Sequence, residues 1–441
     1  MTAYFAATRY KLDDLQPYLY RTTDSGQSWT RIVAGIPDDE FTRVIREDPH
    51  RKGLLYAGTE TGLYISFDSG ALWQRMGGNL PIVPVADLTV KGVELVVATH
   101  GRSFWILDDL TPLHQLRDEI DSQDLVLFQP RATLRVRSYG GGTANNIEPG
   151  MVDYTHADTS LVAVDAVRGR DGSIEHRYLN AGENPPDGVV INYYLKEKPA
   201  DAIKLSILDT TGHELRSFDS DSSALTAGVG LNCFNWNLCL PGASDVTDTT
   251  LESWRRPDGP RVLPGSYQVR LTVDGKTVSQ PLEVVTDPRL GTTREQLAEQ
   301  YEFLCEVLGA LSATNDMINS ICTLLSQLGV WDERVAATAG ADKIAEAREA
   351  LHEIRGKLID VNIWQSQLWP SGLHEKFNAL VDSVNSADYA PPTQAREVFS
   401  KLVAELNDLD ERFGTVLNGR LPLVNRMLQE TGLPTIGLSS E

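Results

Sequence analysis

The chain has 441 residues, of which 41% are hydrophobic and 23% are charged, and its formal net charge at pH 7 is −21. This length is too great for one ordinary hydrophobic core and indicates roughly two to four domains in a globular protein. The negative charge disfavours nucleic acid and anionic membranes as partners, because such a field repels phosphate groups.

The first segment, residues 1–115, is predicted to be a partial β-propeller with three blade-like repeats. Asp24 and Asp68 lie in two similar stretches whose separation is typical of one blade, roughly 40–45 residues. A third copy lacks the Asp: LLYAGTETGLYISFD at 54–68 aligns without a gap with ELVVATHGRSFWILD at 94–108. The first copy, YFAATRYKLDDLQPYLYRTTD, carries an insertion between its two predicted strands.

The second segment, residues 125–288, keeps the alternation of a β-structure but loses the repeat. VVINYYL at 189–195 places apolar side chains at every second position, and AIKLSILDTTGHELRSF at 202–218 predicts a hairpin. A further hairpin is predicted at 265–285, where Asp274 and Gly275 are typical of a type I′ turn. The segment is therefore predicted to be an antiparallel β-sandwich with an Ig-like core at 185–288.

The third segment, residues 292–434, is predicted to be an α-helical bundle, because the apolar spacing changes from two residues to about 3.5. Thr292 and Glu295 are predicted to form a capping box, and Gly329 is predicted to end the first helix. The apolar stripe of that helix runs through Leu297, Tyr301, Leu304, Leu308, Leu311, Asn315, Ile318, Cys322 and Leu325.

Further stripes predict more helices in the same segment. Asn315 either fixes the register of the helices or is a polar residue near a bundle end or a water. His352 and His374 are predicted to lie on solvated polar faces. The stripes are Ile344, Ala347, Leu351, Ile354, Leu358 and Val361; Leu373, Phe377, Leu380 and Val384; and Val398, Leu402, Leu409 and Phe413.

Two stretches, TTDSGQSW at 22–29 and SFDSGALW at 66–73, share one frame: hydroxyl, any residue, Asp, any residue, Gly, two residues, Trp. This frame resembles the Asp-box, or BNR repeat, of sialidase-type, sortilin-type and xyloglucanase-type propellers. The phrases ATHGRSFWILDDLTPL, NPPDGVVINYYLK and ADYAPPTQAREVF also resemble the C-terminal portion of bacterial BNR or sortilin-like glycosyl hydrolases. The frame residues are Thr22, Asp24, Gly26, Trp29, Ser66, Asp68, Gly70 and Trp73.

The resemblance implies that the repeated Asp is structural and not catalytic. In an Asp-box, the carboxylate and the hydroxyl bond backbone amides of a turn between the third and fourth strands of a blade. The Gly takes a conformation that other residues avoid, and the aromatic side chain packs between blades. Asp24 and Asp68 are therefore predicted to build turns, on the face away from the usual ligand site.

Strand alternation places other loops on the ligand face of the predicted propeller: 9–16, 60–62 and 100–102. A carboxylate pair there could serve glycoside hydrolysis, and the alternative is that these residues are simply solvated. Neither the arginine triad of sialidases nor the carboxylates of xyloglucanase-type enzymes can be located. The ligand-face candidates are Arg9, Tyr10, Asp13, Asp14, Glu60, His100 and Arg102.

No metal and no cofactor are predicted, because the eight histidines are scattered and neither His-Glu-x-x-His nor Gly-x-Ser-x-Gly occurs. The sequence also contains no apolar run of about 18 residues that would predict a membrane-spanning helix. The N-terminal stretch MTAYFAATRYKLDDLQ lacks the basic and apolar regions of a signal peptide. A secreted or periplasmic location is implied by the resemblance alone.

Three repeats do not close a ring, since propellers typically have four to eight blades. The remaining blades are therefore expected from a longer parent protein or from an upstream propeller chain. The preferred function is a glycan- or protein-binding scaffold module that is not catalytic on its own. One alternative is the accessory end of a glycoside hydrolase whose active site is completed by other blades; another is a bundle-mediated oligomer without a ligand.

Overall fold

The computed structural model describes residues 1–116, 120–136, 150–157, 160–168, 174–179, 181–182, 185–222, 225–247, 258–335, 341–359 and 372–438. In these ranges the protein consists mostly of β-sheets, followed by a C-terminal helical region. None of the helices described here combines enough length and apolarity to cross a membrane.

The N-terminal part forms three small antiparallel sheets, here named sheets 1, 2 and 3 and together the sheet stack. A short helix, α1 (Thr111–Gln115), follows sheet 3. Sheet 1 contains β1 (Ala3–Arg9), β2 (Asp14–Thr22) and β3 (Thr30–Arg31); sheet 2 contains β4 (Thr42–Glu47), β5 (Leu55–Thr59), β6 (Leu63–Ser66) and β7 (Gln74–Arg75); sheet 3 contains β8 (Val85–Lys91), β9 (Glu94–Thr99) and β10 (Phe104–Leu107).

Sheet 2 lies between the other two sheets and packs an apolar face against each of them. Leu19 and Ile32 of the sheet 1 repeat share one core with Tyr64 and Trp73 of the sheet 2 repeat. The Trp73 indole Nε1 donates a hydrogen bond of 2.8 Å to the carbonyl oxygen of Ile32. A second core joins the opposite face of sheet 2 to sheet 3 through residues such as Tyr56. The cores therefore follow the order of the repeats along the chain.

The gap-free alignment of the second and third copies is wrong by one residue in the last strand. Ala57 lies opposite Tyr64 in sheet 2, whereas its counterpart Val97 lies opposite Trp105 in sheet 3. Trp105, and not Phe104, therefore takes the place of Tyr64. Trp105 packs partly buried against the core shared with sheet 2.

The cause of this shift is one extra residue in the turn between β9 and β10. Ser103 adopts a left-handed conformation there, with φ of 60°. Because successive strand residues face opposite sides, the shift moves every side chain of β10 to the other face. Phe104 and Ile106 consequently face away from sheet 2, and 74% and 55% of their surfaces are exposed.

The middle part contains two sheets that enclose one core and a separate sheet of β13, β14 and β15. Sheet order is β11-β16-β19 in one layer and β12-β21-β20-β17-β18 in the other. The strands are β11 (Leu125–Leu127), β12 (Thr133–Arg135), β13 (Val152–Ala157), β14 (Ser160–Arg168), β15 (Ile174–Tyr178), β16 (Val189–Leu195), β17 (Lys204–Leu208), β18 (Glu214–Asp219), β19 (Gly230–Trp236), β20 (Gly265–Val273) and β21 (Lys276–Thr286).

The shared core packs Tyr193 and Trp236 of one layer against the β17–β20 pair of the other, which makes a sandwich. The predicted turn at Asp274 and Gly275 is confirmed, because both residues have positive φ, 46° and 77°. The antiparallel prediction is wrong for one pair, since β12 runs parallel to β21. These two strands are separated by nearly the whole sandwich, which leaves enough chain for the return that a parallel pair requires.

In the described residues from 294 onwards, the helical region contains five α-helices, with a π-helical turn at Val416–Arg420 between the last two. Most residues of the predicted stripes belong to its core or pack against it. Leu297 and Asn315 are buried outside the main cluster, Tyr301 is half-buried, Val398 is 45% exposed, and Val361 lies outside the described residues. The helices are α2 (Arg294–Val335), α3 (Ala341–Leu358), α4 (Leu373–Val384), α5 (Thr393–Thr415) and α6 (Leu421–Glu430).

Both predicted boundaries of α2 are wrong. The capping box lies one residue later, because Thr293 and Gln296 exchange the reciprocal side-chain-to-amide hydrogen bonds. Thr292 instead donates through its Oγ1 to the carbonyl oxygen of Asp388. The helix also continues past Gly329, since the cost of an internal glycine, about 1 kcal/mol, is offset by burial of neighbours such as Leu328.

The prediction of a solvated His374 is wrong as well. Only 3% of the residue is exposed, and its Nδ1 lies 2.7 Å from Oδ1 of Asn315, which is also buried. Asn315 in turn donates through Nδ2 to the carbonyl oxygen of Ser244, in a loop after the sandwich strand β19. Asn315 therefore fastens a sandwich loop to the helices. Burial lowers the pKa of His374 to about 4, so the imidazole is neutral near pH 7.

A buried ion pair makes a second junction between the sandwich and the helices. Arg135 on β12 pairs with Asp388 after α4, and both side chains are almost fully buried. Arg135 also donates through Nε to the carbonyl oxygen of Val262 at 3.1 Å. Removing either partner would leave a buried charge uncompensated.

Candidate functional site

Two of the predicted ligand-face loops, 9–16 and 60–62, meet in one cluster of side chains. The Tyr10 ring stacks on Phe41, with centroids 5.0 Å apart and planes inclined by 18°. The Arg43 guanidinium lies 5.0 Å from the centroid of Phe41 and donates through Nε to Oε2 of Glu60 at 2.8 Å. We name Tyr10, Phe41, Arg43 and Glu60 the loop-face cluster. Phe41 is buried beneath this cluster, Arg43 and Glu60 are half-buried, and Tyr10 is exposed, so the Tyr10 ring and the charged pair can offer stacking, cation–π and hydrogen-bond contacts at the surface.

Arg9 and Asp14 form a second group at the base of the same 9–16 loop. Their side chains make an ion pair of 3.1 Å, and the Tyr18 hydroxyl donates to Asp14 Oδ2 at 2.7 Å. The hydrogen bond from Tyr18 holds the pKa of Asp14 below its usual range. Asp13 adopts a left-handed conformation, φ 57°, and donates through its backbone amide to the carbonyl oxygen of Tyr10. The loop is therefore shaped by its own residues.

The third loop stands apart from the other two. The backbone amide of His100 donates to Pro84, and the carbonyl oxygen of Arg102 accepts a hydrogen bond of 2.9 Å from the Trp105 indole. Within the part of the chain that the structure describes, no side-chain hydrogen bond or ion pair joins His100 or Arg102 to the loop-face cluster.

Sequence reasoning missed Glu40, which is buried beside the loop-face cluster. Its Oε2 accepts hydrogen bonds from Thr59 at 3.2 Å and Tyr64 at 2.9 Å, and Oε1 pairs with Arg75 at 3.2 Å. Burial, followed by the hydrogen bond to Glu40, raises the pKa of Tyr64 to about 12. Nothing in IPDDEF marks this Glu as buried, because such a run is typical of a solvated loop.

A second missed group, centred on Asp48, lies near the opposite ends of the sheet 2 strands. Asp48 Oδ2 accepts hydrogen bonds from the Tyr56 hydroxyl at 3.0 Å and from His114 Nε2 at 2.9 Å. Its Oδ1 accepts from the backbone amides of His50 and Arg51. Burial opposes ionisation, but these donors together hold the pKa of Asp48 below its usual range. Through His114, this group connects α1 to sheet 2, and its role is structural.

The turn around Asp24 joins β2 to β3 in sheet 1. The Thr22 hydroxyl donates to Asp24 Oδ1 at 2.7 Å and accepts from the amide of Gly26 at 2.9 Å. Asp24 Oδ1 also accepts from the Ser28 amide at 2.9 Å. Gly26 has φ of 88°, a conformation that favours glycine. The hydroxyl and the carboxylate of the frame thus both accept hydrogen bonds from backbone amides of the turn.

The turn around Asp68, between β6 and β7, has the same arrangement. The Ser66 hydroxyl donates to Asp68 Oδ1 at 2.7 Å and accepts from the amide of Gly70 at 2.9 Å, while Asp68 Oδ1 accepts from the Leu72 amide at 2.9 Å. Gly70 has φ of 87°. Towards the backbone of their turns, Asp24 and Asp68 therefore have matching roles.

The described ranges contain no group of three or more His, Cys, Asp or Glu side chains that could hold a metal ion. The loop-face cluster and Glu40 are therefore described by hydrogen bonds, ion pairs and ring contacts alone. Both carboxylates face an arginine: Glu60 pairs with Arg43, and Glu40 pairs with Arg75.

No protein-family model matches the sequence, and no curated protein matches it. Among solved structures, PorZ, a surface component of the type-IX secretion system of Porphyromonas gingivalis, is 18% identical, with a TM-score of 0.23 over 64% of this chain and 37% of that one. A GH74 xyloglucanase from Xanthomonas campestris is 15% identical, with a TM-score of 0.18 over 64% and 36%. YCF48 bound to a D1 peptide is 17% identical, with a TM-score of 0.18 over 40% and 43%. The chain spans less than half of each structure, and the superpositions are too loose to support a shared function.

Proposed function

We propose that this chain is the C-terminal part of an Asp-box propeller protein and acts as a glycan- or protein-binding scaffold module, not as an enzyme on its own. In this proposal, residues 1–115 are an incomplete propeller, 125–288 a β-sandwich with an Ig-like core at 185–288, and 292–434 a helical bundle. A secreted or periplasmic location belongs to the same proposal and rests on the sequence resemblance.

The proposal is carried by one observation, the outer face of sheet 1. Phe5 lies opposite Tyr20 in sheet 1 in the same way that Ala57 lies opposite Tyr64 in sheet 2. Ala57 and Tyr64 belong to the face that sheet 2 packs against sheet 1. The equivalent face of sheet 1, with Phe5 stacked on Tyr20 at 5.0 Å, points away from sheet 2.

Equivalent residues of the two repeats differ in burial, and this difference supports packing of another sheet on the outer face of sheet 1. Trp73 is 2% exposed, whereas Trp29, at the same position of the Asp-box frame, is 42% exposed and lies edge-on to Phe5. Phe104 and Ile106 expose the corresponding outer face of sheet 3. We infer that further blade-like sheets pack on these two faces, because exposed sheet surfaces that carry large apolar side chains are prone to association.

The loop-face cluster is the ligand surface in this proposal. The exposed Tyr10 ring, held by its stacking on buried Phe41 and lying next to Arg43, suits a sugar ring or a planar polar group of a protein. A hydrolase would require two carboxylates at a defined separation, one of them kept protonated. Glu40 and Glu60 are instead each engaged by an arginine, Arg75 and Arg43, so the same contacts favour binding over hydrolysis.

Light scattering after size-exclusion chromatography tests the proposal on the 441-residue chain with and without the product of its upstream gene. We expect a complex of the two chains, and we expect Trp29→Ser to weaken it. Leu231→Ser is the matched control, because Leu231 is 63% exposed but lies on the sandwich. No association with the upstream product, in a chain that is monomeric and melts cooperatively, would overturn the proposal of completion by other blades.

A further inference from the structure

A cavity of about 380 Å³ lies between α2 and α5 in the helical region, far in sequence from the sheet stack. Cavities of roughly 300–1,000 Å³ are typical of sites for small organic molecules. We name it the α2–α5 cavity. It is lined by Asp316, Met317 and Ser320 from α2 and by Asn407, Asp410 and Phe413 from α5, among others.

The floor of the α2–α5 cavity is apolar. Met317, Leu406 and Phe413 line it, and all three belong to the core of the helical region. Each is only 7% exposed, so the floor is the surface of a packed core and keeps its shape without a ligand. Methionine adds a flexible, polarisable side chain that adapts to an aliphatic group. The floor would therefore bury an aliphatic chain.

The rim of the cavity is acidic on both sides. Asp316 on α2 and Asp410 on α5 are exposed carboxylates that line it. Asp316 accepts a hydrogen bond of 2.8 Å from the Ser244 hydroxyl, which orients it. By contrast, Glu405 elsewhere on α5 pairs with Lys376 at 3.1 Å.

Neither rim carboxylate has a basic partner among the residues that the structure describes: no ion pair there involves Asp316 or Asp410. The chain as a whole is also strongly acidic, with a net charge of −21. Both the local and the long-range field thus attract a cation to the cavity.

We infer that the α2–α5 cavity binds a small organic cation that carries a guanidinium or ammonium group on an aliphatic stem of about four carbons. The cationic group would lie between the two carboxylates, and the stem would cover Met317 and Phe413. An inorganic cation would leave the apolar floor in water, and a neutral apolar molecule would leave the two carboxylates unpaired. This inference is independent of the proposed propeller function.

Methyl NMR of the full chain tests the inference with n-butylguanidinium as the probe. Met317 is one of five methionines, and its methyl signal is identified by its loss in Met317→Leu. We expect the probe to shift this signal saturably. Neither n-butanol, which has the stem without the charge, nor guanidinium, which has the charge without the stem, should do so at the same concentration. An unchanged Met317 signal, or equal shifts from all three compounds, would overturn the inference.

A charge-removing variant provides the second arm. Asp316→Asn combined with Asp410→Asn should weaken the probe about twofold or more, since the two substitutions remove both exposed charges that would pair with its cationic group. Asp408→Asn is the matched control, because Asp408 is exposed on the same helix and does not line the cavity. Equal affinity of the double variant and the control, with unchanged helical circular dichroism, would contradict a cation site.

Discussion

Two tryptophans, Trp29 in sheet 1 and Trp73 in sheet 2, end the same eight-residue frame and have opposite environments. The turns before them share their hydrogen bonds, and Gly26 and Gly70 have nearly the same φ, 88° and 87°. Trp73 is nevertheless buried and bonded to Ile32, whereas Trp29 is 42% exposed. The frame itself thus sets the turn, and the neighbouring sheet sets the burial.

This comparison separates two kinds of structural information. The turn depends on residues within about four positions of one another, so a short stretch of sequence contains it. Burial of the tryptophan depends on a sheet that packs on it, and among the described residues sheet 1 has such a neighbouring sheet on one face only.

The largest expected effect comes from truncating the two tryptophans. Trp73→Ala should lower the free energy of unfolding by about 3–5 kcal/mol, because it opens a cavity between two sheets and leaves a buried carbonyl without its donor. Trp29→Ala should cost less than about 1 kcal/mol, as expected of an exposed side chain. Urea unfolding of both variants measures the difference.

Equal losses for the two variants in the isolated chain would contradict the comparison. The same two variants also test whether another blade covers the outer face of sheet 1. With the upstream gene product bound, the loss for Trp29→Ala should rise towards that for Trp73→Ala, since a blade would then cover the outer face of sheet 1.

The helical region offers a second comparison of this kind, between a buried histidine, His374, and an exposed one, His352. Burial lowers the pKa of His374 from 6.5 to about 4. His352 is exposed, and its pKa is also lowered, by partial burial and by the neighbouring Arg355 and Arg348. Below pH 6.5 the unfolded chain binds a proton that folded His374 does not take. Its contribution to stability is therefore complete above pH 6.5 and is lost as the pH falls to about 4.

The expected loss is roughly 3 kcal/mol, from about 1.4 kcal/mol for each pKa unit. Urea unfolding at pH 7 and pH 4 measures it as the difference between wild type and His374→Gln, which removes the titrating group. His352→Gln should retain nearly the wild-type dependence on pH. An unchanged pH dependence in His374→Gln would show that the pKa of His374 is the same in the folded and the unfolded chain, which would contradict its burial as a neutral group.

The elements that sequence patterns predict best are those determined locally. The 265–285 hairpin follows from alternation and an Asp-Gly turn, and the course of α2 follows from its apolar stripe. The end of α2 could not be predicted from Gly329, because tertiary packing outweighs the local cost of a glycine. The one-residue shift in sheet 3 was equally hidden, since ELVVATHGRSFWILD is apolar in either register.

The candidate site depends still more on distant residues. Sequence periodicity places Tyr10 and Glu60 in loops at one end of the strands, but their connection runs through Phe41 and Arg43, which no motif identifies. Glu40 is buried by contacts with residues 19–35 positions away. Pairings at such separations are settled by how sheets stack, and a single sequence does not contain that arrangement in any local pattern.

A smaller effect is expected from adding a methyl group to the two turn glycines. Gly26→Ala and Gly70→Ala both place alanine at φ near 88°, which costs roughly 1–2 kcal/mol. A Cβ at Gly70 would also lie 2.5 Å from Cδ1 of Ile32, whereas a Cβ at Gly26 would meet no heavy atom closer than 3.9 Å. Gly70→Ala should therefore be less stable than Gly26→Ala by about 1 kcal/mol in urea unfolding. A larger loss for Gly26→Ala would contradict the packing of sheet 2 on Ile32.

The smallest effect distinguishes the two turn aspartates. The hydrogen bond from the Ser28 hydroxyl, followed by those from the Ser28 amide and Thr22, holds the pKa of Asp24 well below its usual range. The pKa of Asp68 is also lowered, although burial opposes this, but Leu72 stands where the other turn has Ser28 and offers only its amide.

Because both folded-state pKa values are lowered, each carboxylate contributes stability above its ordinary pKa, about 3.9, and loses it as the pH falls below that value. Carboxyl NMR titration should give the lower pKa for Asp24. Ser28→Ala removes the extra donor and should raise the pKa of Asp24 towards that of Asp68, with the turn otherwise intact. If the pKa of Asp24 does not move in Ser28→Ala, the turn's backbone amides alone lower it, and the two turns are electrostatically as alike as they are in shape.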